Sequence, residues 1–148
     1  MKLANKVKIN VFVKPEEDEQ KIVDALKQLL PFDLEKEKIE LKRSSAQGFN
    51  ERKIIIYDVV LEKENHTNNF LKFLKQKLND SQKEMLVRQE NRLDDDCCFY
   101  MRLDKQKLLN NEFYITDGGE CFHITFCVAA FPKKKECAKE IVKKIFFD

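Results

Sequence analysis

Between Lys6 and Val13 every second residue is β-branched and apolar. Val7, Ile9, Val11 and Val13 share one side, and Lys6, Lys8, Asn10 and Phe12 the other. A period of two marks a strand with one face in a core and the other in water. This feature constrains the fold most, because strands of a wholly parallel sheet are buried on both faces and read as unbroken apolar runs. Phe122, Ile124, Phe126 and Val128 repeat the pattern near the far end of the chain. Strands are expected over 6–13, 38–43, 53–63, 97–104, 113–116 and 120–131.

The segments between them have helical spacing. Pro15 and the acids Glu16, Glu17, Asp18 and Glu19 precede Ile22, Val23, Leu26, Leu29 and Leu30, and negative charge suits the positive end of a helix. Thr67 is expected to cap a second helix carrying Phe70, Leu71, Phe73, Leu74 and Leu78. Ser81 is expected to start a third, and residues 105–110 form a short helix or turn. Pro132 leads into a last helix with Cys137, Ile141, Val142, Ile145 and Phe146 inward. Gln47-Gly48-Phe49-Asn50 reads as a hairpin tip and Asp117-Gly118-Gly119 as a hairpin turn. The order βαββααβββα lacks steady βαβ alternation. It predicts one α+β domain over 1–148, with a largely antiparallel sheet and helices on one face. Ile9, Val11, Ile56, Phe99, Ile124 and Phe126 are expected to meet in its core.

Composition removes several functions. With three Gly and three Pro the chain has no G-x-G-x-x-G, P-loop or nucleophile elbow, so no catalytic residue, enzyme activity or cofactor is expected. No apolar run approaches about 18 residues and no signal-like segment comes after Met1, so no membrane association is expected and the location is read as cytoplasmic. The five cysteines, at 97, 98, 121, 127 and 137, contain no C-x-x-C. The adjacent pair Cys97–Cys98 suits no ordinary structural disulfide, and all five are expected to be reduced. Cys98, Cys121 and His123 lack zinc-site spacing, and no metal is expected. His66 is expected to be exposed, and Asp94, Asp95 and Asp96 to form a solvated loop.

The net charge is only +2, so an argument for a polyanion partner must be local. The sheet face without the main apolar residues would carry Lys6, Lys8, Asn10, Phe12 and Lys14, then Lys38, Glu40 and Lys42. It would also carry Cys98, Tyr100, Arg102 and Asp104, and Cys121, His123, Thr125 and Cys127. Basic groups mixed with aromatics are what open-sheet RNA binders use, although a solvated lysine face has the same composition. Arg102, Lys105, Gln106 and Lys107 cluster at a strand end. Lys133, Lys134 and Lys135 stand at a helix start, where the dipole disfavours cations; a polyanion is one reason for them, and screening by water the other.

The string Phe99-Tyr100-Met101-Arg102-Leu103-Asp104-Lys105-Gln106, a hairpin at Asp117-Gly118, the ending Val128-Ala129-Ala130-Phe131-Pro132 and a Lys-rich final helix together resemble an archaeal RNA-binding protein family. That uncharacterised family is described as predicted exosome subunits. The resemblance spans essentially the whole chain. It implies an α+β fold similar to the ribosomal protein that binds 5S rRNA, and RNA binding without catalysis. Two readings are open. One is an RNA-binding module, associated with RNA-processing or exosome machinery, that uses Tyr100, Arg102, Lys105, Gln106, Lys133, Lys134 and Lys135. The other is a protein-interaction or homodimerisation module that uses the open sheet face without RNA.

Overall fold

The computed structural model of the protein describes residues 1–48 and 52–148. Strand β1 (Ala4–Val13) leads to helix α1 (Glu19–Leu29), β2 (Lys42–Gln47), β3 (Lys53–Leu61), α2 (Glu64–Lys77) and α3 (Asp80–Arg88). A 3-10 turn (Glu90–Arg92), β4 (Cys98–Asp104), α4 (Lys105–Leu109), β5 (Cys121–Val128) and α5 (Lys135–Phe147) complete it. The sheet has five strands in the order β2-β3-β1-β5-β4, every neighbouring pair antiparallel. The fold is α+β, as the alternation requires.

One face of the sheet is the floor of the core. Val7, Ile9 and Val11 of β1, Phe99 and Leu103 of β4, and Phe122, Ile124 and Phe126 of β5 are buried there. Ile22 and Leu26 of α1, Phe70, Leu71 and Leu74 of α2, and Phe146 of α5 close over them in one apolar cluster. Phe99 and Phe126 stack with ring centroids 4.9 Å apart. Five of the six expected core residues lie in this cluster. Ile56 does not: it faces Phe12 and Ser44 on the other side, while Ile55 and Tyr57 turn inward. Consecutive Ile54, Ile55 and Ile56 hide the phase of β3, and a one-residue slip exchanges the faces.

Several boundaries move for local reasons. Helix α1 starts at Glu19, not at Pro15, because the Asp18 carboxylate accepts the Lys21 amide and caps it there. The strand expected at 38–43 is instead β2 at Lys42–Gln47. Ile39 and Leu41 reach the core from a looped segment in which Lys38 has φ 56°. Thr67 is not a cap: it is buried inside α2 and its hydroxyl donates to the Glu64 carbonyl. Nor is His66 exposed; it packs on Phe32 and bonds Glu37 at 3.2 Å. The hairpin tip expected at Gln47–Asn50 lies partly outside the described residues. The segment 113–116 meets the sheet through one bridge, Ile115 to Leu103. The Asp117-Gly118-Gly119 turn therefore joins no paired strands. It carries the chain from the outer edge of β4 to β5 on its inner edge, where the Lys105 amide donates to the Glu120 carbonyl.

The two sheet edges differ. On β4 the outer carbonyls are taken: Cys98 by the Asp94 amide, Arg102 by the Thr116 amide, and Tyr100 by the Arg92 guanidinium at 3.4 Å. On the other edge β2 pairs with β3 alone among the described residues, and its residues are almost all exposed.

Candidate nucleic-acid interface

Strand register sorts the uncovered face into rows. One row runs across all five strands through Lys42, Asp58, Asn10, His123 and Arg102. The next holds Val60, Lys8, Thr125 and Tyr100, and the one beyond it Lys6, Cys127 and Cys98. On the opposite side of the first row lie Ser44, Ile56 and Phe12. The side formed by β1, β5 and β4 is thus polar, with Lys6, Lys8 and Arg102 as its cations. The β3 side is more apolar, with Phe12 and Val60 exposed and Ile54 and Ile56 half-buried.

Tyr100 is exposed on its ring and anchored at its tip, its hydroxyl donating to Asp94 Oδ2 at 2.8 Å. The other Asp94 oxygen accepts the amides of Asp96 and Cys98, both at 2.9 Å. Burial opposes the charge on Asp94. The Cys98 amide, the Tyr100 hydroxyl, the Asp96 amide and the charge of Lys135 outweigh it and hold the carboxyl below its ordinary range. Its bond to Asp94, then burial, push the Tyr100 phenol up, so the ring is neutral. Asp94 therefore organises the turn, in which Cys97 takes φ 65°. The Val128 amide donates to the Cys97 carbonyl and the Ala129 amide to that of Leu3, so the turn that carries Lys133, Lys134 and Lys135 into α5 leaves the sheet at the end marked by Cys98 and Lys6.

Arg102 donates from Nη1 to the Asp117 carbonyl at 3.0 Å and to that of Gly118 at 3.5 Å. Arg92, which sequence reasoning missed, binds Gln89 at 2.6 Å and reaches Asp117 at 3.4 Å. The two arginines, with Tyr100, His123 and Thr125, line an open cleft of about 390 Å³. Burial, then the charges of Arg102 and Lys105, push the His123 imidazole down. Burial also pushes the Cys121 thiol up, although its sulfur is 3.5 Å from His123 Nε2. A thiol beside a neutral imidazole is not the ion pair that makes cysteine a nucleophile.

Two expectations need correction. Cys98 and Cys127 form a disulfide. Register sets them directly opposite on β4 and β5 with Cα atoms 3.9 Å apart, whereas Cys97 turns into the core. Cys97, Cys121 and Cys137 are free. The second correction concerns Lys105, which is not at an exposed strand end but 2% exposed. Its ammonium donates to the Phe12 carbonyl at 2.8 Å and to both Glu17 oxygens at 3.1 and 3.2 Å. It pins the end of β1 to the approach to α1 and cannot meet a phosphate. Gln106 is exposed, but beside Lys21, Asp24 and Gln28 of α1, on the helical side of the molecule. Of the seven expected site residues, Tyr100 and Arg102 share one face of β4, Lys133, Lys134 and Lys135 stand at the turn into α5, and Lys105 and Gln106 lie apart from both groups.

The family model described as RNA binding matches residues 6–128, nearly the whole sheet with its intervening helices. The chain belongs to this RNA-binding family. A Pyrococcus abyssi protein named RNA-binding protein PAB1135 is 28% identical, with 95% of this chain and 92% of that protein aligned. An uncharacterized protein of Methanocaldococcus jannaschii is 31% identical over 95% of this chain and 96% of its own length. Among solved structures, a DUF54 protein of Archaeoglobus fulgidus superposes with a TM-score of 0.83 at 27% identity, covering 96% of this chain and 99% of that one. Another from Methanothermobacter thermautotrophicus gives 0.79 at 26% identity, covering 97% and 98%.

Proposed function

We propose that the protein binds RNA on the side of its open face formed by β1, β5 and β4, without catalysis. Lys6, Lys8, Arg102, Lys133, Lys134 and Lys135 meet phosphates, and Tyr100 offers a ring to a base. The observation that carries the reading is the set of free cations. Among the described residues, neither Lys6, Lys8 nor any of Lys133, Lys134 and Lys135 forms an ion pair, in a molecule where eleven pairs are made elsewhere. The Asp94–Asp96 turn stands at the same end of the sheet, yet these lysines make no ion pair among the described residues, and such cations suit a polyanion. Family membership and the name of the Pyrococcus relative agree with this reading. The candidate groups are Lys and Arg rather than groups set to read base edges, so binding is largely independent of sequence. The test is a titration with short single-stranded RNA at several salt concentrations. Each single-stranded phosphate contact contributes about −0.7 to the slope of log affinity against log salt, so about four contacts give roughly −3. No binding at low salt would sink the reading.

Association with RNA-processing machinery, the exosome included, is the further part of the proposal. Its support is the apolar patch of Phe12, Ile54 and Ile56, which lies across the Lys42–Arg102 row from Lys8 and Tyr100 and gives a protein neighbour or a second copy a surface of its own. Recovery of RNA-degrading proteins from cell extract on the immobilised chain, persisting after RNase, is the expected result. Loss of every partner on RNase treatment would remove it.

A further inference from the structure

Phe131 is 99% exposed, far more than any other large apolar side chain of the described residues. The chain on either side of it is hydrogen-bonded. The Ala129 amide donates to the Leu3 carbonyl, the Ala130 amide to that of Val128, and the Lys134 amide to that of Pro132. A ring bare to water adds nothing to folding, whereas eight other phenylalanines of the described residues are buried or half-buried. Pro132 comes directly after Phe131, and then the three unpaired lysines at the start of α5. That start has no side-chain cap. An aromatic ring bare to water beside grouped cations offers a π-face for a base and charge for its phosphates.

We infer that Phe131 is a base-stacking residue, and that with Lys133, Lys134 and Lys135 it holds a nucleotide of single-stranded RNA at the end of the open face. The inference rests on the RNA-binding reading above. A paired base in a duplex has both faces covered by its neighbours, so the ring can be used only by an unpaired one. The chain leading to Phe131 and the lysines is tied to the Asp94–Cys98 turn by the Val128 amide donating to the Cys97 carbonyl, so a strand held there continues toward Tyr100 and Lys8. Charge complementarity selects RNA over an apolar protein pocket, for which three adjacent lysines would have to lose their water.

The sequence contains no Trp, so Phe131→Trp places one reporter at the site. The probes are a short oligoadenylate and an abasic strand with the same number of phosphates. Phe131→Ala should weaken oligoadenylate binding about tenfold, leave the abasic strand unchanged and leave the salt slope unchanged. Changing Lys133, Lys134 and Lys135 together to Ala should weaken both strands and flatten the slope by about two. Phe131→Trp should bind like the native chain, with its emission falling as oligoadenylate is added. Thermal melting should match the native chain for each variant, because the ring and the lysines are outside the core. Unchanged oligoadenylate affinity in Phe131→Ala would overturn the inference while RNA binding itself stands. So would equal losses for both strands, or Trp emission indifferent to saturating oligoadenylate. Failure of the native chain to bind either strand would remove the RNA reading and this inference with it.

Discussion

The Lys105 ammonium lies 3.1 Å from the Glu17 carboxylate, with the lysine side chain 3% exposed and the glutamate 15%. Removing one member of a buried pair leaves the other charge without a partner, which costs about 3–5 kcal/mol. Lys105→Ala should therefore lower the urea midpoint strongly, and Glu17→Gln should do so less, since the Phe12 carbonyl still accepts from the lysine. RNA affinity per folded molecule should be unchanged in both. A Lys105→Ala protein as stable as the native chain would contradict the buried geometry.

Arg102 gives the opposite pattern. Its partners are the exposed Asp117 and Gly118 carbonyls, and substitutions of this kind usually stay within about 0.5 kcal/mol. Arg102→Ala should leave the melting temperature nearly unchanged and flatten the salt slope of RNA binding by about 0.7. An unaltered slope would take Arg102 out of the interface.

At Tyr100 the ring and the hydroxyl can be separated. Tyr100→Phe keeps the stacking surface and loses only the bond to Asp94. It should retain most RNA affinity, whereas Tyr100→Ala should lose about tenfold. Equal losses in the two variants, measured by titration, would assign the effect to the Asp94 turn instead of to stacking.

The Cys98–Cys127 bond closes a loop with a sequence separation of 29. Chain entropy puts the stabilisation from a loop of that size at about 3–4 kcal/mol. Dithiothreitol, or Cys98→Ser with Cys127→Ser, should lower the urea midpoint accordingly. Alkylation of denatured, unreduced protein should modify the three free cysteines, Cys97, Cys121 and Cys137. Five modified cysteines would show the pair to be open.

Glu19 supplies an acid-dependent element. The Arg43 guanidinium, donating to it at 2.8 Å, and then the Tyr57 hydroxyl hold its carboxyl from the ordinary 4.5 down to about 2. A carboxylate lowered on folding contributes stability that is present above its unfolded value and is lost as pH falls through its folded value. The stability difference between the native chain and Glu19→Gln should be full above about pH 4.5 and close by about pH 2. Urea titrations across that range would show it; a difference independent of pH would not fit.

Strict alternation over 6–13 and 121–128 makes the open face legible, because a period of two assigns each side chain to a face before any partner strand is known. Where alternation is absent, legibility fails. Ile54, Ile55 and Ile56 do not reveal their phase, and β2, Lys-Arg-Ser-Ser-Ala-Gln, has no apolar residues to mark it as a strand beyond one alanine. Lys105 escapes a local reading for another reason. Its partners, Phe12 and Glu17, are 93 and 88 residues away, and nothing nearby in the chain distinguishes a buried lysine from a solvated one. The disulfide likewise depends on the register of β4 against β5. Phe131 reads as the end of a strand, although the Phe-Pro-Lys-Lys-Lys string marks a break in the apolar pattern.

The contrast between the two sheet edges limits how this molecule can grow. Arg92 and the amides of Asp94 and Thr116 occupy the carbonyls along the outer side of β4, so an incoming chain finds no ladder to extend there. The β2 side has no such seal among the described residues. A strand contributed from outside can therefore join only next to β2, four positions across the sheet from β4 and farthest from the lysine end. Assembly by strand addition and occupation of the cationic end are thereby kept on opposite flanks, and each can proceed without displacing the other.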